Sequence, residues 1–178
     1  LSSKRLVHFF GDSIIRGLET NVINSSFSAK VFCFPGCTIS GLRTRVKETI
    51  TEPNFNVDVV FLHVGTNNLN RSVWDIDVKQ YRLLFYTVRE LYRSATIIFN
   101  AILPRWDSED LYASSLYYNI KLNNLACTLE NCLYITQSDL FQNFDDLHAY
   151  DGLHLNFYGK IVFAEAVIGA ISKCLTPR

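Results

Sequence analysis

A serine hydroxyl is a weak nucleophile until a base takes its proton, and a histidine held by a carboxylate supplies that base near neutral pH. This chain carries both halves. Ser13 lies in a Gly11-Asp12-Ser13 turn between an apolar run, Leu6 to Phe10, and apolar residues at helical spacing. A strand running into the start of a helix leaves Ser13 beside unpaired backbone N–H groups, which favour an anion forming next to the hydroxyl. Asp151 and His154 stand three residues apart at the entry to a later helix, so Asp151 can hold the Nδ1–H of His154 while Nε2 faces outward. An oxyanion then needs donors, and the candidates are the N–H of Ser13, the N–H of Gly36 and the side-chain amide of Asn67. Glycine at 36 lets backbone approach a substrate with no side chain in the way. The plain alternative is that Asp12, Ser13 and Asp151 are ordinary helix caps, and Asp12 is read as a structural group of the turn.

These groups act together only if the intervening elements bring them to one place. Leu6 to Phe10, Lys30 to Phe34, Val57 to Val64, Ile97 to Leu103 and Leu133 to Ile135 read as strands, and the third is a continuous apolar run of the kind that fills a parallel sheet. Between them, residues 39–50, 74–92, 111–129 and 157–174 carry apolar side chains at helical intervals. A polar loop is expected between the last strand and the last helix. The alternation predicts an α/β fold, a parallel sheet with helices on both faces and any site at the carboxyl ends of the strands. Ser13, Gly36 and Asn67 each follow a strand.

The 178 residues fit one domain, and 48% hydrophobic with 19% charged residues is a globular composition with no stretch apolar enough to span a bilayer. Seventeen basic residues balance seventeen acidic ones, so the field that non-specific nucleic-acid binding uses is missing and nucleic acid is not the expected partner. Cys33, Cys37, Cys127, Cys132 and Cys174 are an odd count at spacings too loose for a metal site, which predicts buried free thiols and a reducing, cytoplasmic setting. Methionine is absent, position 1 included, and the expectation is a segment, residues 1–178, cut from a longer polypeptide.

His8 and His63 fall in strands and read as core histidines. His148, in the polar loop beside Asp145 and Asp146, is the weaker competitor of His154. Arg16, Arg105 and Lys160 either meet a phosphate head group or, as scattered cations usually do, face water, and they are not ranked as site residues. Trp106 and Tyr112, after a strand end, either line an acyl or lipid pocket or pack their loop onto the body of the domain.

Taken in order, Gly11-Asp12-Ser13, Gly36, Gly65-Thr66-Asn67-Asn68 and Asp151-Gly152-Leu153-His154 resemble the four blocks of the SGNH (GDSL-type) hydrolases, a match that runs over nearly the whole chain. Gly-Thr-Asn-Asn, Leu103-Pro104-Arg105 and Leu153-His154-Leu155 are similar to intracellular platelet-activating-factor acetylhydrolase subunits and to the esterase domains in the first open reading frame of some non-LTR retrotransposons. The resemblance implies a three-layer α/β/α, flavodoxin-like fold with a five-stranded parallel sheet and no cofactor. It implies hydrolysis of short-chain, acetyl-type esters, on small or lipid substrates and with peripheral membrane contact in view, by Ser13, His154 and Asp151. Ser13, Gly36 and Asn67 would be the oxyanion donors. Asn68 stands where many members have Asp. A relative that has lost its catalytic residues and binds RNA supplies the competing expectation, a silent module for RNA, protein or membrane lipid. The sequence leaves the oligomeric state open.

Overall fold

The computed structural model describes residues 4–71 and 74–176; the ends of the 1–178 span, and residues 72–73, lie outside it. In chain order the elements are β1 (Arg5–Gly11), α1 (Leu18–Val22), β2 (Phe27–Cys33), α2 (Ile39–Thr49), β3 (Val59–His63), α3 (Trp74–Leu91), β4 (Thr96–Asn100), α4 (Glu109–Cys127), β5 (Cys132–Ile135), α5 (Ser138–Gln142), α6 (Phe144–Leu147) and α7 (Phe157–Leu175). The strands form one parallel sheet in the order β2-β1-β3-β4-β5, the flavodoxin-like arrangement. Its topological switch point lies between β1 and β3, whose carboxyl ends carry Ser13 and Asn67.

Alternating side chains on buried strands feed two cores. Phe10, Val60, Leu62, Ile97 and Phe99 pack under α2, α3 and α4 through Leu42, Tyr81, Leu84, Val88 and Leu122. Val7, Phe9, Val59, Phe61 and Ile98 pack on the other face under α1 and α7 through Leu18, Val22, Phe163, Val167 and Ile171. Among the described residues no helix is long and apolar enough to cross a membrane.

The structure departs from the sequence reading in particular places. β2 begins at Phe27 rather than Lys30 and ends at Cys33. β4 stops at Asn100 rather than Leu103, because the Asn119 side chain takes over the backbone of Ile102, accepting its N–H at 2.9 Å and donating to its carbonyl at 2.8 Å. The polar loop holds α5 and α6, and a backbone bridge between His148 and Leu155. The cysteines are free but not buried as expected: Cys33, Cys37, Cys132 and Cys174 are partly covered and Cys127 is exposed.

Candidate active site

The nucleophile turn is shorter than a helix start. Residues Ser13–Ile15 form a single 3₁₀ turn capped by Asp12, whose Oδ1 accepts the Ile14 N–H at 3.0 Å, and Gly17 then reverses the chain at φ 77° before α1. One such turn sums few peptide dipoles, so the macrodipole expected at Ser13 is replaced by individual N–H groups. The turn is held from both sides by the ladder, with Gly11 paired to Cys33 of β2 and His63 of β3. Phe34 N–H donates to the Gly11 carbonyl at 2.8 Å and Asp12 N–H to the His63 carbonyl at 3.2 Å.

Residues 141 positions apart meet there. Ser13 Oγ lies 3.2 Å from His154 Nε2, and His154 Nδ1 lies 2.6 Å from Asp151 Oδ2. Asp151 Oδ1 accepts the N–H groups of Leu153 and His154, each at 2.9 Å, so the loop that presents the carboxylate is folded around it. Partial burial pushes the Asp151 carboxyl up, but the His154 ring and the two backbone donors together outweigh that and bring it to about 2. The group that faces the imidazole is therefore a carboxylate at neutral pH. The His154 and Asp151 side chains remain 44% and 51% exposed, so the site opens to solvent.

Gly36 and Asn67 come from the neighbouring strand ends. Gly36 adopts φ 74°, a conformation L side chains resist, and the space a Cβ would occupy there is open. Asn67 Nδ2 donates one hydrogen to the Cys37 carbonyl at 3.0 Å, which ties it to the Gly36 loop and leaves its second hydrogen available. A cavity of about 440 Å³ adjoins this loop, lined by Phe34, Pro35, Gly36, Cys37, Thr38 and Arg45 among others. A larger one, about 640 Å³, lies at the opposite strand ends around Thr96 and Asn131 and contains none of these residues.

Asn68 has a defined place. Its Oδ1 accepts the N–H of Ile39, the first residue of α2, at 3.0 Å, and its Nδ2 donates to Asp77 Oδ1 at 3.1 Å. Burial raises the Asp77 carboxyl and the Asn68 bond works against that rise. Asn68→Asp sets two carboxylates against each other at about 8–9% exposure, and the expected cost at pH 7 is about 1–3 kcal/mol. The pair shares a proton in the folded state at a pH above the ordinary carboxylate range, so the lost stability returns as pH falls through that range. Thermal melts from pH 7 to pH 4 check this, and Asp77→Asn in the same chain restores the neutral-pH value.

His8 and His63 are core histidines as expected. His8 Nδ1 bonds the Tyr92 hydroxyl at 2.8 Å, and His63 Nδ1 lies 2.9 Å from Asn100 Nδ2. His148 is not a solvated loop residue: it is buried, stacked on Phe144 at 5.6 Å and edge-on to Trp106 at 6.2 Å. Burial lowers its basicity, and nothing brings it to Ser13. Trp106 stacks on Tyr112 at 4.6 Å and against Phe144 at 5.1 Å, which packs the 105–112 loop onto α6.

Arg105 corrects the sequence reading outright. Arg16 and Lys160 are exposed, but Arg105 is 7% exposed. It grips both carboxylate oxygens of Asp107 at 2.7 and 2.6 Å and reaches the Thr66 carbonyl at 3.4 Å. The next residue, Trp106, donates its N–H to the Gly152 carbonyl at 2.8 Å. One loop thus braces both the Asn67 segment and the Asp151–His154 segment. The signals for it in the sequence are its position after a strand end and its place in the Leu103-Pro104-Arg105 stretch.

Gly152 is the tight point of that brace. It sits at φ 67°, and a Cβ there would lie 2.7 Å from Asp107 N and 3.0 Å from Trp106 C, both backbone atoms. Gly152→Ala is expected to cost at least about 1–2 kcal/mol for the left-handed backbone alone, lowering Tm by roughly 2–8 °C. It also displaces His154 and lowers kcat. Gly169→Ala, exposed in α7 with nothing near its Cβ, is the control and should leave both unchanged or raise Tm slightly.

No protein-family model matches the chain, and no curated protein matches it in sequence. Solved structures do match. A Streptococcus pneumonia protein provisionally named a platelet activating factor superposes with a TM-score of 0.81 at 17% identity, over 96% of this chain and 85% of that one. A Clostridium thermocellum family 3 carbohydrate esterase gives 0.77 at 16% identity over 97% and 98%. Axe2, an acetylxylan esterase from Geobacillus stearothermophilus, gives 0.74 at 17% identity over 99% and 98%. With its five parallel strands in flavodoxin-like order and these neighbours, the chain has the fold of the SGNH (GDSL-type) hydrolases.

Proposed function

We propose that this chain is a serine esterase that hydrolyses short-chain esters, acetyl esters above all, carried on lipid-related substrates. The observation that supports it most is the line from Ser13 Oγ through His154 to Asp151, at 3.2 and 2.6 Å. In the reaction, Ser13 Oγ attacks the ester carbonyl carbon and its proton passes to His154 Nε2. The imidazolium is held by Asp151, and the carbonyl oxygen takes its negative charge toward the N–H groups of Ser13 and Gly36 and the Asn67 amide. The alcohol leaves with the proton from His154. Water, deprotonated by the same nitrogen, then clears the acyl group from Ser13 as the acid.

A short acyl group is favoured by a structural neighbour named as an acetylxylan esterase. A lipid-borne ester is favoured by the aromatics that flank the catalytic loop: Tyr150 is fully exposed, Phe157 72% and Tyr158 67%. Amphipathic rings of this kind settle at the boundary between water and lipid.

Purified protein is mixed with p-nitrophenyl acetate, quenched in acid and mapped by mass spectrometry. One acetyl group on the peptide carrying Ser13, with steady release of nitrophenol that weakens for longer acyl chains, is the expected result. No turnover and no adduct would leave a silent binding module in its place. Flotation with liposomes tests the lipid part, which fails when the protein stays in the soluble fraction on every composition tried.

A further inference from the structure

Beneath the nucleophile turn, four polar side chains stand at the carboxyl ends of four adjacent strands and are almost wholly enclosed: Asp12 at 0%, His63 at 1%, Asn100 at 0% and Gln137 at 3% exposure. They follow one another across the sheet from β1 through β3 and β4 to β5. Gln137 Nε2 donates to Asn100 Oδ1 at 2.9 Å, and Asn100 Nδ2 donates to the Ala101 carbonyl at 2.8 Å. The amide of Asn100 cannot be reversed, because that would face its oxygen with the Ala101 carbonyl. Its remaining hydrogen points at His63 Nδ1, 2.9 Å away, so Nδ1 accepts and the ring hydrogen of neutral His63 resides on Nε2. That nitrogen faces Asp12, whose Oδ1 lies 3.9 Å off, and the ring is held edge-on to Phe163 at 5.7 Å. Asp12 Oδ1 accepts the Ile14 N–H, and Asp12 Oδ2 has no partner among the described residues. At 3.9 Å the His63 Nε2–H is beyond hydrogen-bond length of Oδ1, and in this dry interior it acts on the enclosed carboxyl through space, as a dipole beside the direct Ile14 bond.

We propose that His63 is a positioning residue for the nucleophile. As the Nε2–H tautomer turned by Gln137 and Asn100, it orients the Asp12 carboxyl, which fixes the Ile14 N–H and with it the turn that aims Ser13. Its kinetic consequence rests on the esterase reading above, but its structural consequence does not.

Nitrogen-15 NMR of the wild-type chain reads the tautomer directly, and Nε2 of His63 is expected to carry the proton at neutral pH. In His63→Phe, which keeps a ring against Phe163, the Ile14 amide resonance is expected to move as it does in Asp12→Asn. With p-nitrophenyl acetate the same variant is expected to lose roughly 10- to 100-fold in kcat with little change in KM, the mark of a misaimed group. A His63 protonated on Nδ1, or an Ile14 resonance unmoved in His63→Phe, overturns the proposal even where the variant folds well. Unchanged kcat in His63→Phe beside an active wild type overturns it too. An inactive wild type sinks the esterase reading instead, and the tautomer and the Ile14 resonance still decide the role of His63.

Discussion

Ser13→Ala is expected to reduce kcat for p-nitrophenyl acetate by roughly 10³- to 10⁶-fold and to leave the thermal midpoint nearly where it was. The two halves of that expectation come from the same geometry. Among the described residues Ser13 Oγ hydrogen-bonds to His154 Nε2, and the turn itself is held by Asp12, the Gly11 ladder pairs and the Phe34 and Asp12 N–H bonds. Removing the hydroxyl therefore takes away the attacking atom without loosening the backbone. In the proposed mechanism what remains is the set of N–H donors and the His154 base, which can still direct a water molecule onto the carbonyl at a low rate. Steady-state kinetics with a calorimetric scan on the same sample make the comparison. Equal turnover by the two proteins would move the chemistry away from Ser13, and a large fall in Tm would assign the serine a structural task instead.

The parts of this molecule that repeat a period are legible in the amino-acid sequence itself. Strand runs such as 57–64 and helical runs such as 157–174 are set by burial on one or both faces, and burial leaves its signature in residue type. The candidate site is legible for a different reason: Ser13, Asp151 and His154 sit in short local motifs whose turns are closed by their own neighbours, Asp12 with Ile14 and Asp151 with Leu153 and His154. Pairings that join distant loops leave no local trace. Arg105 looks like any surface cation until the chain brings Thr66 beside it, and Asn119 looks like a helix-surface amide until it closes on Ile102. His63, Asn100 and Gln137 follow one another at 37-residue steps, far beyond the reach of any local motif, and only the pairing of β3, β4 and β5 in the sheet brings them side by side. His148 misleads for the opposite reason, since the acidic residues beside it suggest solvent while the aromatic rings that cover it include Trp106 from a distant loop.

The same half-exposed loop that makes Asp151 look dispensable gives the second large effect. Asp151→Asn is expected to lower kcat by roughly 10²- to 10⁴-fold with KM and Tm little changed. Oδ1 accepts two backbone N–H groups, so an amide placed there keeps its oxygen toward Leu153 and His154 and turns its NH₂ toward the imidazole. At the 2.6 Å contact the NH₂ donates, Nδ1 becomes the acceptor, and the ring hydrogen moves to Nε2. His154 then presents a donor to Ser13 Oγ where the reaction needs a lone pair. Partial burial pushes the Asp151 carboxyl up, and the His154 ring and two backbone donors outweigh that, so at neutral pH the group facing Nδ1 in the wild type is a carboxylate that only accepts. A variant whose kcat is unchanged would show that Asp151 does not orient the base and is only the cap that closes its loop.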